Sequence, residues 1–367
     1  MIVVTGGGTG GHIFPCIAVI AELRQRGYRD FAWIGERRGK EREWAQKIGV
    51  PFHGIRTGKL RRYFSLKNAS DAVIVLIGLL QSFFLLLRLK PEVLFSKGGF
   101  VSVPPVLAGW ILRIPVVTHE SDIIPGLATR IISRFASAVC VSFERTLQHF
   151  PGRRAFFTGN PVREIIKKGS KRSGYEFLHH DDGPPVVFVV GGSSGAATIN
   201  TAVWRMKERC MHLFFLVHQC GQGNLRSDLP QELRYRQYGF IGAEIGNVIA
   251  ASDLVVSRAG GGALYELGFL KKPSILIPLP RSASRGEQIA NARYFEENGA
   301  ARVIRNEDLN EQVLYDAIDL LLSDPEQLKR MGQRAHSLCK KDAEKEISDV
   351  IESVRTCKRE LDRSRNT

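Results

Sequence analysis

Ile2-Val3-Val4-Thr5-Gly6-Gly7-Gly8-Thr9-Gly10-Gly11-His12 opens the chain with an apolar, β-branched run, a string of small residues and then a helix-like pattern. β-Branched residues suit a buried strand, and glycines let the chain turn sharply from strand into helix. The same succession returns in the second half as Val186-Val187-Phe188-Val189-Val190 followed by Gly191-Gly192-Ser193-Ser194-Gly195-Ala196. Two such openings predict two similar α/β domains in series.

Further buried strands are expected at Phe31-Ala32-Trp33-Ile34, Val93-Leu94-Phe95-Ser96, Val116-Val117-Thr118, Ala138-Val139-Cys140-Val141, Phe214-Phe215-Leu216-Val217, Leu254-Val255-Val256 and Ser274-Ile275-Leu276-Ile277. They alternate with longer helical patterns, which predicts doubly wound parallel sheets covered on both faces. A length of 367 residues suits two domains, and two domains imply a cleft. The boundary is expected after Gly159-Asn160-Pro161, because the stretch that follows is basic, then rich in His and Asp, then Gly-Pro-Pro. Residues 1–161 and 162–340 are therefore read as the two domains, 341–358 as a C-terminal helix, and 359–367 as a charged, frayed tail.

With 44% apolar and 24% charged residues, the composition is that of a folded protein. The 52 Lys and Arg against 37 Asp and Glu give a net charge of +15, which favours phosphorylated ligands or anionic surfaces. No RNP-type run, zinc-finger spacing or heptad-linked basic helix is present, so nucleic acid is not expected as a partner. The six cysteines are scattered and form no C-x-x-C pair, which points to a reducing compartment. The N-terminus runs straight into a strand pattern, so no export signal is expected.

Ala72 to Leu87 is apolar apart from Gln81 and Ser82. As a helix at roughly 1.5 Å per residue it falls short of a bilayer core of about 30 Å, so it is not expected to span a membrane. Two readings stay open: a buried helix, or one that dips a face into the membrane interface. The second is favoured by the flanking Lys59, Arg61, Arg62, Lys67, Arg88 and Lys90, because cations beside an apolar patch are drawn to anionic lipid.

Glycine loops at helix starts bind oxyanions through backbone amides and the positive end of the helix. Such a loop also serves as a plain strand-to-helix turn, so neither Gly6 to Gly11 nor Gly191 to Gly195 is diagnostic alone. The first run lacks the acidic residue that a dinucleotide site places after the second strand, Glu36 being poorly spaced for it. A third cluster, Arg258-Ala259-Gly260-Gly261-Gly262-Ala263-Leu264-Tyr265-Glu266, follows another strand pattern. Its helix-start amides are suited to a diphosphate, and Glu266 to accepting hydrogen bonds from two ribose hydroxyls; the alternative for Glu266 is a solvated helix carboxylate.

The order of these pieces resembles the MurG family of glycosyltransferases. The resemblance rests on Gly7 through Pro15, Lys97-Gly98-Gly99-Phe100-Val101-Ser102, His119-Glu120, Gly159-Asn160-Pro161-Val162-Arg163, Gly191 through Ala196, and Arg258 through Glu266, in sequence over residues 1 to about 340. It implies a GT-B fold, with two Rossmann-like domains facing across a cleft and a C-terminal helix returning to the first. It also implies inverting transfer of N-acetylglucosamine from UDP-N-acetylglucosamine to undecaprenyl-pyrophosphoryl-N-acetylmuramoyl-pentapeptide in peptidoglycan synthesis, by a peripheral protein on the cytoplasmic face of the cell membrane. The expected partners are thus UDP-N-acetylglucosamine, an undecaprenyl-linked lipid acceptor and an anionic membrane surface.

By motif matching, the donor site takes Arg163, Ser193, the main chain at Ile241, Gly261, Gly262, Ala263, Leu264, Tyr265, Glu266 and Gln288. Thr9, Gly10 and Gly11 are assigned to both reactants, and Gly98 and Gly99 to the acceptor. Inversion in one displacement needs a base and a means of stabilising the departing UDP. Arg163 and loop amides meet the second need, so no cofactor is required; no Asp-x-Asp is placed for a metal, and stimulation by a divalent ion stays open. His12 is the candidate base, since a helix N-terminus disfavours imidazolium; orienting the acceptor is its alternative role. His119 and Glu120 are runners-up.

Two stretches depart from the family pattern. His119-Glu120-Ser121-Asp122 stands where the family reads His-Glu-Gln-Asn, so a carboxylate replaces an amide, and Asp122 beside a sugar diphosphate needs a partner. Pro280 to Gly286 differs from the corresponding family loop. Two other functions stay open: a UDP-sugar-dependent diacylglycerol glycosyltransferase, and a non-catalytic lipid- or nucleotide-binding subunit.

Overall fold

The computed structural model describes the whole chain except residues 59–66, 182, 211–212, 227, 229–233 and 367. The chain divides into two units, Met1–Pro161 with Lys340–Thr367, and Val162–Cys339.

In the first unit seven strands form one parallel sheet: β1 (Ile2–Thr5), β2 (Phe31–Glu36), β3 (Phe52–Ile55), β4 (Val93–Ser96), β5 (Val116–Glu120), β6 (Ala138–Val141) and β7 (Ala155–Phe157), in the order β3-β2-β1-β4-β5-β6-β7. β1, β4, β5 and β6 are buried along their whole length, as strands covered by helices on both faces must be. On one face Val4, Phe95, Val117 and Cys140 pack with Ile13 and Val19 of the helix Gly10–Gln25 and with Ile347, Ile351 and Val354 of the C-terminal helix Ala343–Asn366. On the other, Val3, Leu94 and Val116 pack with Leu86 of the helix Lys67–Leu89 and Val106 of the helix Val103–Ile111.

The second unit holds β8 (Val186–Val190), β9 (Phe215–Gln219), β10 (Tyr235–Tyr238), β11 (Leu254–Ser257), β12 (Ser274–Leu276) and β13 (Arg302–Val303), parallel in the order β10-β9-β8-β11-β12-β13. Both sheets reverse direction of winding once, between β1 and β4 and between β8 and β11. In open parallel sheets, ligands bind at the carboxyl ends of the strands at such a switch point. Both glycine-rich openings lie there.

Every strand expected from the sequence forms. The four that the pattern did not reveal, β3, β7, β10 and β13, are the outer strands of the two sheets. An edge strand has a neighbour on one side only and tolerates residues such as His53, Gly54, Arg236 and Arg302, which blur the apolar signal.

The chain beyond Arg359, expected to fray, instead continues the C-terminal helix to Asn366. The helix is held by its inner stripe and by ion pairs one turn apart. Arg26 donates to Asp349 at 2.5 Å and Glu352 at 2.7 Å, and both Arg355 and Arg359 donate to Glu92.

The apolar run 72–87 lies in the helix Lys67–Leu89 and is buried on one side only. Its two polar residues have structural uses: Ser82 is buried and donates to the Gly78 carbonyl at 2.7 Å, while Gln81 accepts from the Arg56 amide at 2.9 Å. The opposite face leaves Val73, Leu76, Leu80, Phe84 and Leu87 exposed at 57, 55, 52, 66 and 45%. Their spacing of three and four residues makes one stripe. Trp110 and Ile111 of the next helix are also exposed. Of the expected flanking cations, Lys59, Arg61 and Arg62 and the side chain of Lys67 lie outside the described residues. Among the described residues no helix is long and apolar enough to cross a membrane.

Candidate active site: two half-sites at the switch points

In the first unit the turn after β1 leads into the helix Gly10–Gln25, with Thr9 as its N-cap in extended conformation. The Thr9 hydroxyl makes no cap bond and instead meets His12 Nδ1 at 3.0 Å. Gly8 has φ +85°, and its amide donates to Glu41 Oε2 at 3.2 Å. Glu41 is fully buried, and its Oε1 accepts from the Glu36 amide at 2.7 Å. A Cβ on Gly7 would fall 2.2 Å from that carboxylate, so the loop takes its shape around it.

His12 is half-buried, and its ring lies over the Gly98-Gly99 turn; a Cβ on Gly99 would sit 3.5 Å from Nε2. Gly98 and Gly99 have φ of +82° and +78°, which glycine adopts without strain. Burial, assisted by the positive charge of Lys97, lowers the His12 pKa to about 4, so the ring is neutral near pH 7 and able to accept a proton.

The other two candidate bases are placed differently. His119 is sealed from solvent, with Nε2 donating to the Gly159 carbonyl at 2.7 Å. Burial first, then Lys97, holds its pKa well below the usual histidine range. Glu120 Oε1 accepts from the amides of Ser121 at 2.8 Å and Asp122 at 3.0 Å, and Oε2 from that of Gly126 at 3.1 Å. Its carboxylate thus shapes the loop after β5, while burial and the neighbouring Asp122 push its pKa up. Asp122 lies in this same loop, half-buried.

In the second unit the loop after β8 has Gly192 and Gly195 at φ +100° and +75°. It presses against the loop after β9 so closely that a Cβ on Gly195 would lie 1.9 Å from the Cys220 carbonyl oxygen. Asn200 and Asn224 donate to that same carbonyl, at 2.7 and 3.1 Å. Ser193 stands exposed at the tip. The Ile241 amide is already held by Gln219 Oε1 at 2.9 Å.

After β11, the helix Gly261–Phe269 begins at Gly260. The amides of its first turn carry the positive end of the helix dipole. Gln288 lies against this turn: its Oε1 accepts from the Leu279 amide at 3.1 Å, and its Nε2 lies 4.0 Å from where a Gly260 Cβ would be. Leu264 and Tyr265 have fully buried side chains, so what they offer a ligand is main chain. Arg163 and Glu266, 103 residues apart, meet in a bidentate pair, Nε to Oε1 at 2.5 Å and Nη2 to Oε2 at 2.8 Å.

Sequence reasoning gave no site role to four residues that the structure puts at these turns. Glu41 and Lys97 are buried beneath the first, and Ser121 bridges Lys97 to Asn160. Arg258, at the end of β11, donates to the carbonyls of Ile277 at 3.0 Å and Pro278 at 3.3 Å and to Asn306 Oδ1 at 2.8 Å. Burial lowers its pKa. Arg258 and Lys97 stand in quoted motifs, so a charged residue flanking a glycine turn was the available signal.

Residues 2–141 match the glycosyltransferase family 28 N-terminal domain and residues 186–350 the family 28 C-terminal domain. A relative from Bacillus cereus, UDP-N-acetylglucosamine–N-acetylmuramyl-(pentapeptide) pyrophosphoryl-undecaprenol N-acetylglucosamine transferase 2, is 41% identical over 96% of this chain and 98% of its own length. The Treponema pallidum transferase of the corresponding name is 48% identical over 84% of this chain and 83% of its own. Among solved structures, Acinetobacter baumannii MurG superposes with a TM-score of 0.76 at 25% identity, covering 96% of this chain and 99% of that one. A Neisseria meningitidis UDP-GlcNAc 2-epimerase shares the fold, with a TM-score of 0.71 at 14% identity, covering 96% of this chain and 100% of that one.

Proposed function

We propose, from the premise that this chain belongs to glycosyltransferase family 28 and within it to the MurG enzymes of GT-B fold, that it moves N-acetylglucosamine from UDP-N-acetylglucosamine to undecaprenyl-pyrophosphoryl-N-acetylmuramoyl-pentapeptide. The observation that carries this conclusion is likeness to named transferases that runs through both glycine-turn half-sites over nearly the whole chain.

The second unit takes the donor. First-turn amides of Gly261, Gly262 and Ala263 and the loop at Ser193 face the diphosphate, Glu266 the ribose hydroxyls and Gln288 the sugar. The Arg163–Glu266 pair holds the carboxylate in one orientation, and a carboxylate with four lone-pair sites accepts a ligand's hydroxyls while keeping its arginine. The first unit takes the acceptor, its diphosphate lying against Thr9, Gly10, Gly11, Gly98 and Gly99.

In the displacement, neutral His12 removes the proton from the attacking acceptor hydroxyl as that oxygen bonds to the anomeric carbon. The bond to UDP breaks on the opposite side, which inverts the centre. Negative charge develops on the departing diphosphate and is met by fixed amide dipoles and the cation of Arg163. These groups supply electrostatics that do not require a divalent ion, and stimulation by one stays open.

Membrane association is supported by the exposed stripe Val73, Leu76, Leu80, Phe84 and Leu87 with Trp110 and Ile111. Arg88 and Lys90 at the helix end add the charge that draws such a face to anionic lipid. These features support a peripheral position on the membrane; the cytoplasmic face is what the family assignment adds, and there a lipid-linked acceptor is within reach. The test is transfer of label from UDP-N-acetylglucosamine and UDP-glucose to the undecaprenyl-linked acceptor and to diacylglycerol. Label confined to diacylglycerol would overturn the assignment.

A further inference from the structure

Lys97 is 2% exposed and follows β4 at the switch point of the first sheet. A lysine ammonium carries three N–H donors. Among the described residues, the acceptor this one meets is the hydroxyl of Ser121. It makes no ion pair within bonding distance, although Glu120 and Asp122 lie near enough to favour its charged form against burial. Beside it, His119 Nδ1 is buried and without a hydrogen-bond partner. The register explains their meeting: Ser96 pairs with Thr118, so Lys97 and His119 are the next residues on neighbouring strands and share a face.

A buried cation whose hydrogen-bond partner is a neutral hydroxyl, beside an unpartnered ring nitrogen, is costly. The cost is offset when a ligand brings the missing acceptors. Ser121 Oγ donates onward to Asn160 Oδ1 at 3.2 Å, which fixes the hydroxyl that steers the ammonium. Lys97 is followed directly by Gly98 and Gly99, which carry no side chains, and a Cβ on Gly6 would lie 3.0 Å from the Lys97 Cβ, so small residues border the lysine, whose stem is flexible. The carboxylate of Asp122, which beside a diphosphate would otherwise repel it, has its compensating charge here.

We propose that Lys97 is the cation of the acceptor half-site: steered by Ser121 and balanced by Asp122, its ammonium donates to an anionic oxygen of the acceptor's diphosphate. This rests on the transferase assignment above and adds a side-chain charge to a site otherwise made of backbone amides.

The test uses the full-length enzyme with both substrates. Lys97→Met, similar in length and uncharged, raises the KM for the lipid acceptor about tenfold or more, as loss of a charge-assisted bond requires. The KM for UDP-N-acetylglucosamine and the Kd for UDP, both set by the second unit, stay within about twofold of wild type. Lys97→Arg recovers part of the acceptor affinity. With UDP-N-acetylglucosamine saturating, inorganic pyrophosphate competes with the lipid acceptor, and its inhibition constant rises in Lys97→Met by a similar factor. If free pyrophosphate is indifferent to the substitution while the lipid acceptor is not, the contact belongs to the lipid-linked diphosphate alone, and the proposal stands in that form. Ser121→Ala, which leaves the ammonium in place, raises the acceptor KM by a smaller factor and supplies the test should Lys97→Met not fold. An unchanged acceptor KM in Lys97→Met, or in Ser121→Ala where only that variant folds, overturns the proposal. So does a parallel fall in donor affinity, acceptor affinity and Tm, which would mark a purely structural lysine. A wild-type enzyme that transfers nothing to the lipid-linked sugar overturns the transferase assignment instead.

Discussion

Replacing Phe84 by serine separates membrane attachment from folding. Phe84 is 66% exposed, the most open residue of the stripe. A phenylalanine side chain offers about 200 Å², so about 130 Å² faces solvent. At ~25 cal/mol per Å², full insertion into an apolar phase is worth about 3 kcal/mol, and half-depth insertion about half of that. Each ~1.4 kcal/mol is a factor of ten. Phe84→Ser therefore lowers the partition coefficient onto phosphatidylglycerol-containing vesicles by about 10- to 100-fold in a sedimentation assay, with Tm nearly unchanged because the ring contributes little to the core. Leu320→Ser is the control: Leu320 is 54% exposed but sits in the second unit, outside the stripe, and its loss leaves partitioning alone. Equal vesicle binding by wild type and Phe84→Ser would refute an interfacial role for this helix.

The remaining expectations concern the chemistry and the donor loops. With a pKa of about 4 in the fold, His12 is neutral above that value and charged below it, so kcat/KM falls as pH drops through about 4. A limb near 6.5 would show either that another base acts or that Lys97 and burial do not depress this ring. His12→Ala loses turnover by about 100-fold or more, the scale of general-base catalysis, while UDP binding is retained. Glu266→Ala weakens UDP binding by about 10- to 100-fold in calorimetry, as loss of two hydrogen bonds to a charged acceptor implies; unchanged affinity would move the ribose elsewhere. Gly195→Ala lowers Tm and UDP affinity together, since its Cβ meets a backbone carbonyl at 1.9 Å and the residue has φ +75°. Gly192→Ala, at φ +100° in open space, costs only local strain of about 1–2 kcal/mol. Equal melting of the two variants would deny the packing of the β8 and β9 loops.

The candidate site was legible wherever local grammar sufficed. The turns at Gly8, Gly98 and Gly195 announce themselves because only glycine adopts their positive φ freely, and each follows a strand pattern. What each titratable side chain does could not be read in the same way. His12 ranked first and His119 and Glu120 second as bases in the sequence, and packing sets the three apart: one lies half-open over a glycine turn, one is sealed, and one is bonded to three amides of its own loop. The Arg163–Glu266 pair spans 103 residues, and neither residue's neighbours in sequence predict the other.

Sequence by itself determined two parallel α/β units, the order of their inner strands along the chain and the places where glycine turns lead from strand to helix. These are fixed by residue-by-residue preferences for strand, turn and helix, repeated often enough to be unambiguous. Tertiary structure alone decided the edge strands, the exposed face of the helix 67–89, the packing around His12 and the burial of Lys97. Each of these depends on which distant segment removes water from one side of a residue, and that is a property of packing, which no short stretch of sequence contains.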